Sequence, residues 1–226
     1  MATADFLGKL VGITPAERDQ DHLPIIVYSD PTTPDRTAAI LEEGPSPLPS
    51  LLRGIDFLNQ AGCALIAIPC NTAHHWFPEM EAASEIPIVH IVDALVESLQ
   101  RMSHSPRRVG LLATDGTVAT GIYHRRLEAA GFEALDLSHL HEANPAMRGI
   151  AAVKAGEVDR ARELFREGAR ELGALGAECI AFACTEVSGV LDSHAPLEGI
   201  PVRDASDTLA AAVVTRARTL LTARSS

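Results

Sequence analysis

The chain has 226 residues, 46% of them hydrophobic and 22% charged, which excludes a disordered protein and allows one large or two small globular domains. A formal net charge of −11 without a basic stripe disfavours nucleic acid as a partner. No apolar run approaches the roughly 20 residues that cross a membrane. The four cysteines form no CxxC pair and no export signal precedes them, so a cytoplasmic location is expected.

Strand-like and helix-like segments alternate along the whole chain. The hydrophobic pattern predicts strands at 24–30, 64–69, 86–92, 108–113, 134–137, 178–183 and 200–202. It predicts helices at 5–13, 47–62, 93–102, 118–130, 145–176 with a break near Gly156, and 206–223. This alternation is typical of parallel sheets with helices on both faces, so we expect an α/β fold.

The pattern restarts after a linker at 103–106, with a cysteine-bearing strand on each side of it. We therefore expect two pseudo-equivalent parallel-sheet α/β domains. The first would comprise residues 1–104 together with a returning C-terminal helix at 203–226, and the second residues 105–202. The active site is expected in the cleft between them.

Two predicted strands end at a cysteine that is followed by polar residues. These are Cys70, before Asn71 and Thr72, and Cys184, before Thr185 and Glu186. Parallel sheets bind ligands beyond the carboxyl ends of their strands, so the two thiols are expected to face a common substrate. A helix amino terminus favours the reactive thiolate. One thiolate would remove a proton from carbon while the opposite thiol returns a proton to the other face, which inverts the centre.

Polar residues near these cysteines are candidates for substrate binding. The four that follow the cysteines are suited to hydrogen-bond carboxylate and ammonium groups, and Thr117 in the turn at 114–117 has the same capacity. Each is equally suited to capping a helix, and the two roles are compatible. His74 is either a neighbour that tunes Cys70 or a structural histidine. No metal-ligand spacing and no phosphate-binding glycine loop occurs, so neither a metal site nor a nucleotide site is expected.

At these motifs the sequence resembles the aspartate/glutamate racemase superfamily, and within it the aspartate racemases. The resemblance is carried by PCNTAH at 69–74, ACTE at 183–186, PDRTA at 34–38, LLATDGT at 111–117 and VKAG at 153–156. It implies a homodimeric enzyme that interconverts L- and D-aspartate without a cofactor. It also implies that Cys70 and Cys184 are the two acid/base residues, and that Arg36 and Lys154 bind the side-chain carboxylate of the substrate.

The sequence departs from the family pattern at three points. Ala183 stands where the family usually has glycine, and the stretch before Lys154 is one residue shorter. The family also has a strand and a glycine-rich loop before the segment that corresponds to Ala2–Phe6. The sequence begins at Met1, so the first domain is expected to lack its first strand.

Three other functions compete with an aspartate racemase. The first is a racemase of another amino acid, or an isomerase or decarboxylase of a small diacid. The second is a hydrolase with Cys70 as nucleophile and His74 as base, for which Cys184 would be dispensable. The third is a truncated, non-catalytic protein that binds a small acid in the cleft.

Overall fold

The structure is a computed structural model that describes residues 2–41 and 43–224. Its helices are α1 (Ala2–Ile13), α2 (Arg36–Ile40), α3 (Leu48–Gln60), α4 (Phe77–Ala83), α5 (Ile91–Gln100), α6 (Asp115–Thr120), α7 (Ile122–Ala129), α8 (Pro145–Lys154), α9 (Val158–Ala174), α10 (Thr185–Ser188) and α11 (Ala205–Arg224). Its strands are β1 (Ile66–Ala67), β2 (Ile88–Val89), β3 (Arg108–Ala113), β4 (Glu133–Leu135), β5 (Cys179–Ala183) and β6 (Val202–Asp204). In the described part of the chain, no helix is long and apolar enough to span a membrane.

Every strand pairing between these elements is parallel, as the sequence predicts. One sheet has the order β4-β3-β5-β6, and the other consists of β1 and β2. In the larger sheet Ala113 pairs with Ala183, so β3 and β5 end at the same level. The residues that directly follow, Thr114 and Cys184, therefore emerge side by side at the carboxyl edge. This confirms the predicted α/β fold class.

Helices cover both faces of the larger sheet because successive side chains of a strand point in opposite directions. Leu111 of β3 packs into a core that also contains Leu10 of α1, Leu95 of α5 and Leu209 of α11. Its neighbour Leu112 points to the other face and packs into a second core with residues of α8 and α9. A smaller core around β1 joins α3 to α4.

The first of these cores is shared between the two predicted domains. It joins side chains before residue 104 to strands β3 and β5, and α11 packs against both α1 and α5. The last helix therefore packs against helices from the first half of the sequence. The division at residues 104 and 203 itself stays a prediction.

The predicted strand at 24–30 is wrong. Within the described chain this segment has no strand pairing, and its apolar side chains are exposed, with Ile26 at 50% and Val27 at 45%. An apolar groove of about 430 Å³ separates it from the residues around β1. The sequence pattern of a buried strand is present, but a strand forms only where a neighbour accepts its backbone hydrogen bonds.

The predicted helix at 118–130 is two helices. Gly121 adopts the left-handed conformation, with φ of +63°, and ends α6 before α7 begins. The expected turn at 114–117 opens α6, since the Thr114 hydroxyl accepts a hydrogen bond of 3.0 Å from the Thr117 backbone N–H. The strand predicted at 64–69 is also shorter, because only two residues of β1 pair with β2.

Candidate active site

A cavity of about 520 Å³, here called the cysteine cleft, lies at the carboxyl ends of β1 and β5. Eight of the nine residues that the sequence singles out line it, namely Cys70, Cys184, Arg36, Asn71, Thr72, Lys154, Thr185 and Glu186. The two cysteines come from different sheets. The cleft therefore has the form expected for a site that brings one thiol from each half to a common ligand.

Cys184 directly follows β5 and is buried at the amino terminus of the short helix α10. Its thiol donates a hydrogen bond of 2.9 Å to Oε2 of Glu186, which also accepts one from the Thr185 hydroxyl. Burial, with the negative charge of Glu186 added to it, raises the pKa of the Cys184 thiol well above its ordinary value. Cys184 is thus held as a neutral thiol with a proton to give.

Cys70 shares the cleft with a cation, Arg36, and the two side chains interact. The Arg36 guanidinium is itself held by a backbone carbonyl, with Nη1 3.0 Å from the oxygen of Pro34. Burial works to lower the pKa of Arg36, but interactions with Cys70, Asp35 and Glu186 raise it above its ordinary value. Arg36 therefore carries a permanent positive charge next to the sulfur that would bear negative charge as a base.

His74 contacts the Cys70 segment through the backbone and not through the sulfur. Its Nδ1 lies 2.9 Å from the carbonyl oxygen of Cys70, and its Nε2 accepts a hydrogen bond of 3.2 Å from the Ile91 N–H. Burial lowers the pKa of His74 to about 4, so the ring is neutral. With both nitrogens bonded to backbone, His74 cannot act as the base of a cysteine hydrolase. Its role is structural.

Three threonine hydroxyls join the two halves beneath the cleft. Thr72 lies 2.8 Å from Thr117 and 3.2 Å from Thr114, and Thr114 donates to Thr117 over 2.9 Å. Thr117 is fully buried and does not line the cleft, so the structure does not bring this predicted binding residue to the ligand. Thr114 does line it, and the sequence analysis did not single it out. Sequence analysis could have identified Thr114 as a candidate, because it directly follows strand β3, which ends level with the strand before Cys184.

Lys154 and Asp35 face each other at the cleft from opposite halves. Their charged atoms are 3.6 Å apart, with the two side chains 59% and 51% exposed. The Asp35 carboxylate also caps α2 by accepting a hydrogen bond of 3.0 Å from the Ala38 N–H. Lys154 thus lines the cleft, where it is partnered by an acidic side chain of the protein.

The half that carries Arg36 is packed against the other half at Gly116. A Cβ at this position would lie 2.9 Å from Cα of Thr37 and 3.0 Å from its hydroxyl oxygen. Only glycine permits this close approach of α2 to α6. The contact sets the position of Arg36, which immediately precedes Thr37.

A further contact between the halves involves Tyr123, which sequence analysis had no signal to find. Its hydroxyl donates a hydrogen bond of 2.5 Å to Oδ1 of Asn71.

The four cysteines are free, and residues 2–41 and 43–224 contain no group of three or more metal-binding side chains placed to hold an ion.

Comparison with known proteins identifies the family of the chain. Residues 1–213 match the Asp/Glu/Hydantoin racemase family. The chain is 30% identical over 211 residues to the broad specificity amino-acid racemase RacX of Bacillus subtilis (strain 168), covering 93% of this chain and 87% of that protein.

Solved structures are similar over nearly the whole chain. An aspartate racemase of Picrophilus torridus superimposes with a TM-score of 0.83 at 31% identity, covering 96% of this chain and 89% of the other. An aspartate racemase homologue from Pyrococcus horikoshii OT3 shares the fold, with a TM-score of 0.75 at 22% identity over 96% and 94% of the two chains. The chain therefore belongs to the Asp/Glu/Hydantoin racemase family, and its relatives place it among the amino-acid racemases.

Proposed function

We propose that the chain is an aspartate racemase that interconverts L- and D-aspartate by proton transfer between Cys70 and Cys184, without a cofactor. The observation that carries the proposal is the asymmetric setting of the two thiols in one cleft. Cys70 has the Arg36 cation beside it, whereas Cys184 is a thiol that donates to a carboxylate. One sulfur is therefore placed to take a proton and the other to give one.

In this mechanism the Cys70 thiolate removes the Cα proton of one enantiomer and becomes a thiol. Cys184 delivers its own proton to the opposite face of the carbon and becomes a thiolate. The reverse reaction starts from that second protonation state. Binding of the substrate ammonium group to Glu186 would balance the carboxylate charge that otherwise opposes a Cys184 thiolate.

The charges of the cleft support a dicarboxylic substrate. Arg36 and Lys154 both line it, and a second carboxylate on the substrate can displace Asp35 from Lys154. A guanidinium group also binds carboxylates through paired hydrogen bonds. A neutral amino acid would leave this cation pair without a ligand.

The main alternative is a racemase of other amino acids, and the similarity to a broad specificity racemase favours it. A small diacid isomerase or a protein that binds without turnover would use the same cations. We expect the enzyme to work in the cytoplasm, as the cysteine pattern of the sequence indicates, and to form a homodimer, as the sequence resemblance implies. Light scattering on the purified chain tests the dimer.

The substrate is tested by incubating the purified chain with a panel of single enantiomers without pyridoxal phosphate, followed by chiral chromatography. The proposal predicts that L-aspartate is racemised with a higher kcat/KM than L-glutamate, L-alanine or L-lysine. Preferred turnover of a neutral or basic amino acid would overturn the assignment of substrate. Binding of aspartate without inversion would identify a non-catalytic protein.

A further inference from the structure

Tyr123 is connected to the cysteine cleft through one other side chain, that of Asn71. It lies on α7, is fully buried and does not line the cleft. Among the described residues its hydroxyl has one hydrogen-bond partner, Oδ1 of Asn71, at 2.5 Å. Asn71 does line the cleft and immediately follows Cys70. The bond thus runs from a helix of one half to the cysteine segment of the other.

This bond determines which way the Asn71 amide points. Burial raises the pKa of the Tyr123 phenol well above its ordinary value, so the hydroxyl keeps its hydrogen and acts as a donor. An amide oxygen accepts such a hydrogen, whereas an amide nitrogen cannot. The opposite orientation of Asn71 would leave a buried donor without an acceptor, which is unfavourable.

The amide nitrogen of Asn71 is left available by this arrangement. Nδ2 forms no hydrogen bond with any residue that the structure describes, although the Asn71 residue is only 4% exposed. Its two N–H groups suit a ligand that only accepts hydrogen bonds, such as a carboxylate. They do not suit an ammonium group, because an ammonium group only donates hydrogen bonds.

We propose that Tyr123 is a positioning residue that orients the Asn71 amide so that its N–H donors bind a carboxylate of the substrate. The inference rests on the proposed racemase function and deepens it, because it separates the carboxylate partner, Asn71, from the ammonium partner, Glu186. Tyr123 itself does not line the cleft and acts through Asn71.

The test is a double-mutant cycle with Tyr123→Phe, which keeps the ring and removes only the hydroxyl, and Asn71→Ala. Calorimetric titration with succinate, a dicarboxylate without an amine, reports carboxylate binding independently of turnover. Tyr123→Phe is expected to weaken succinate binding roughly 5- to 20-fold and to raise KM for L-aspartate more than it lowers kcat. In the Asn71→Ala background the same substitution is expected to have no further effect.

Ile122→Val is the matched control, because Ile122 is a buried neighbour on the same helix without a polar group. It should lower the melting temperature while leaving succinate binding unchanged. The inference is overturned if Tyr123→Phe binds succinate as the wild type does, if its effect adds to that of Asn71→Ala, or if the wild type binds no succinate. Succinate binding with the expected cycle but without aspartate turnover would count against the proposed function alone.

Discussion

The Cys184 thiol donates a hydrogen bond of 2.9 Å to the carboxylate of Glu186, two residues later in the same helical turn. A thiol that gives its hydrogen to an anion is held in its protonated form. This pair distinguishes Cys184 from Cys70, whose sulfur has a guanidinium beside it. The difference between the two cysteines is the basis of the proposed mechanism.

Replacing Glu186 with Gln is expected to lower the pKa of Cys184, because burial remains but the neighbouring negative charge is removed. The ultraviolet absorbance of the thiolate, followed against pH in a Cys70→Ser background, measures this pKa. Glu171→Gln, at an exposed position of α9, is the control. An unchanged titration in Glu186→Gln would show that burial alone sets the pKa of Cys184.

Replacing Arg36 with Lys is expected to lower kcat/KM for L-aspartate roughly 10- to 100-fold, because a lysine cannot reproduce the paired donors of a guanidinium. The positive charge would remain, but its anchor on the carbonyl of Pro34 would be lost. Arg101→Lys, with a side chain 77% exposed at the end of α5, should leave kcat/KM unchanged. Equal kcat/KM for the two variants would show that Arg36 does not contribute to binding the substrate.

Replacing Gly116 with Ala is expected to separate α2 from α6, since the added Cβ would lie 2.9 Å from Cα of Thr37. Overpacking of this kind costs about 1–3 kcal/mol of unfolding free energy and should also raise KM by displacing Arg36. Urea unfolding and steady-state kinetics measure the two effects. Gly8→Ala is the control, because no atom lies within 4 Å of the new Cβ. A Gly116→Ala enzyme with unchanged KM would contradict the link between this contact and the site.

The stability of the protein is expected to fall as pH drops from about 6.5 towards 4. Burial lowers the pKa of His74 to about 4 and that of His90 to about 2, so the unfolded chain takes up protons that the folded chain excludes. The stabilisation is complete above the ordinary histidine pKa and is lost below it, by about 1.4 kcal/mol per pH unit for each ring.

Urea unfolding at several pH values tests this dependence. His74→Gln should reduce the slope of unfolding free energy against pH by about 1.4 kcal/mol per pH unit, because one histidine fewer takes up a proton on unfolding. His104→Gln, at an exposed position, should leave the slope unchanged. Identical slopes in all three proteins would contradict the assignment of His74 as a neutral, structural residue.

The sequence predicts most of this fold because each long element has its own hydrophobic period. Each cysteine could be placed at the carboxyl end of a strand, where parallel sheets bind ligands, and Cys70 and Cys184 line one cleft. The segment at 24–30 could not be predicted correctly, since its apolar residues indicate a strand but its partner decides whether one forms.

Contacts between distant segments are the other part that sequence patterns do not contain. Thr117 is of a residue type that commonly binds ligands, yet its hydroxyl forms hydrogen bonds with Thr72 and Thr114. Tyr123 is of a residue type that commonly fills a core, yet its hydroxyl donates a hydrogen bond to Asn71. Local residue type is the same in either role, and only the packing of one half against the other distinguishes them.

The central claim is that two thiols act on opposite faces of one carbon, and it is tested by racemisation of L-aspartate in deuterium oxide. The account predicts that the first D-aspartate formed carries deuterium at Cα while the remaining L-aspartate does not, because each face has its own acid/base group. Cys70→Ser and Cys184→Ser should each abolish inversion. Equal early labelling of both enantiomers, or racemisation that survives Cys184→Ser, would contradict it.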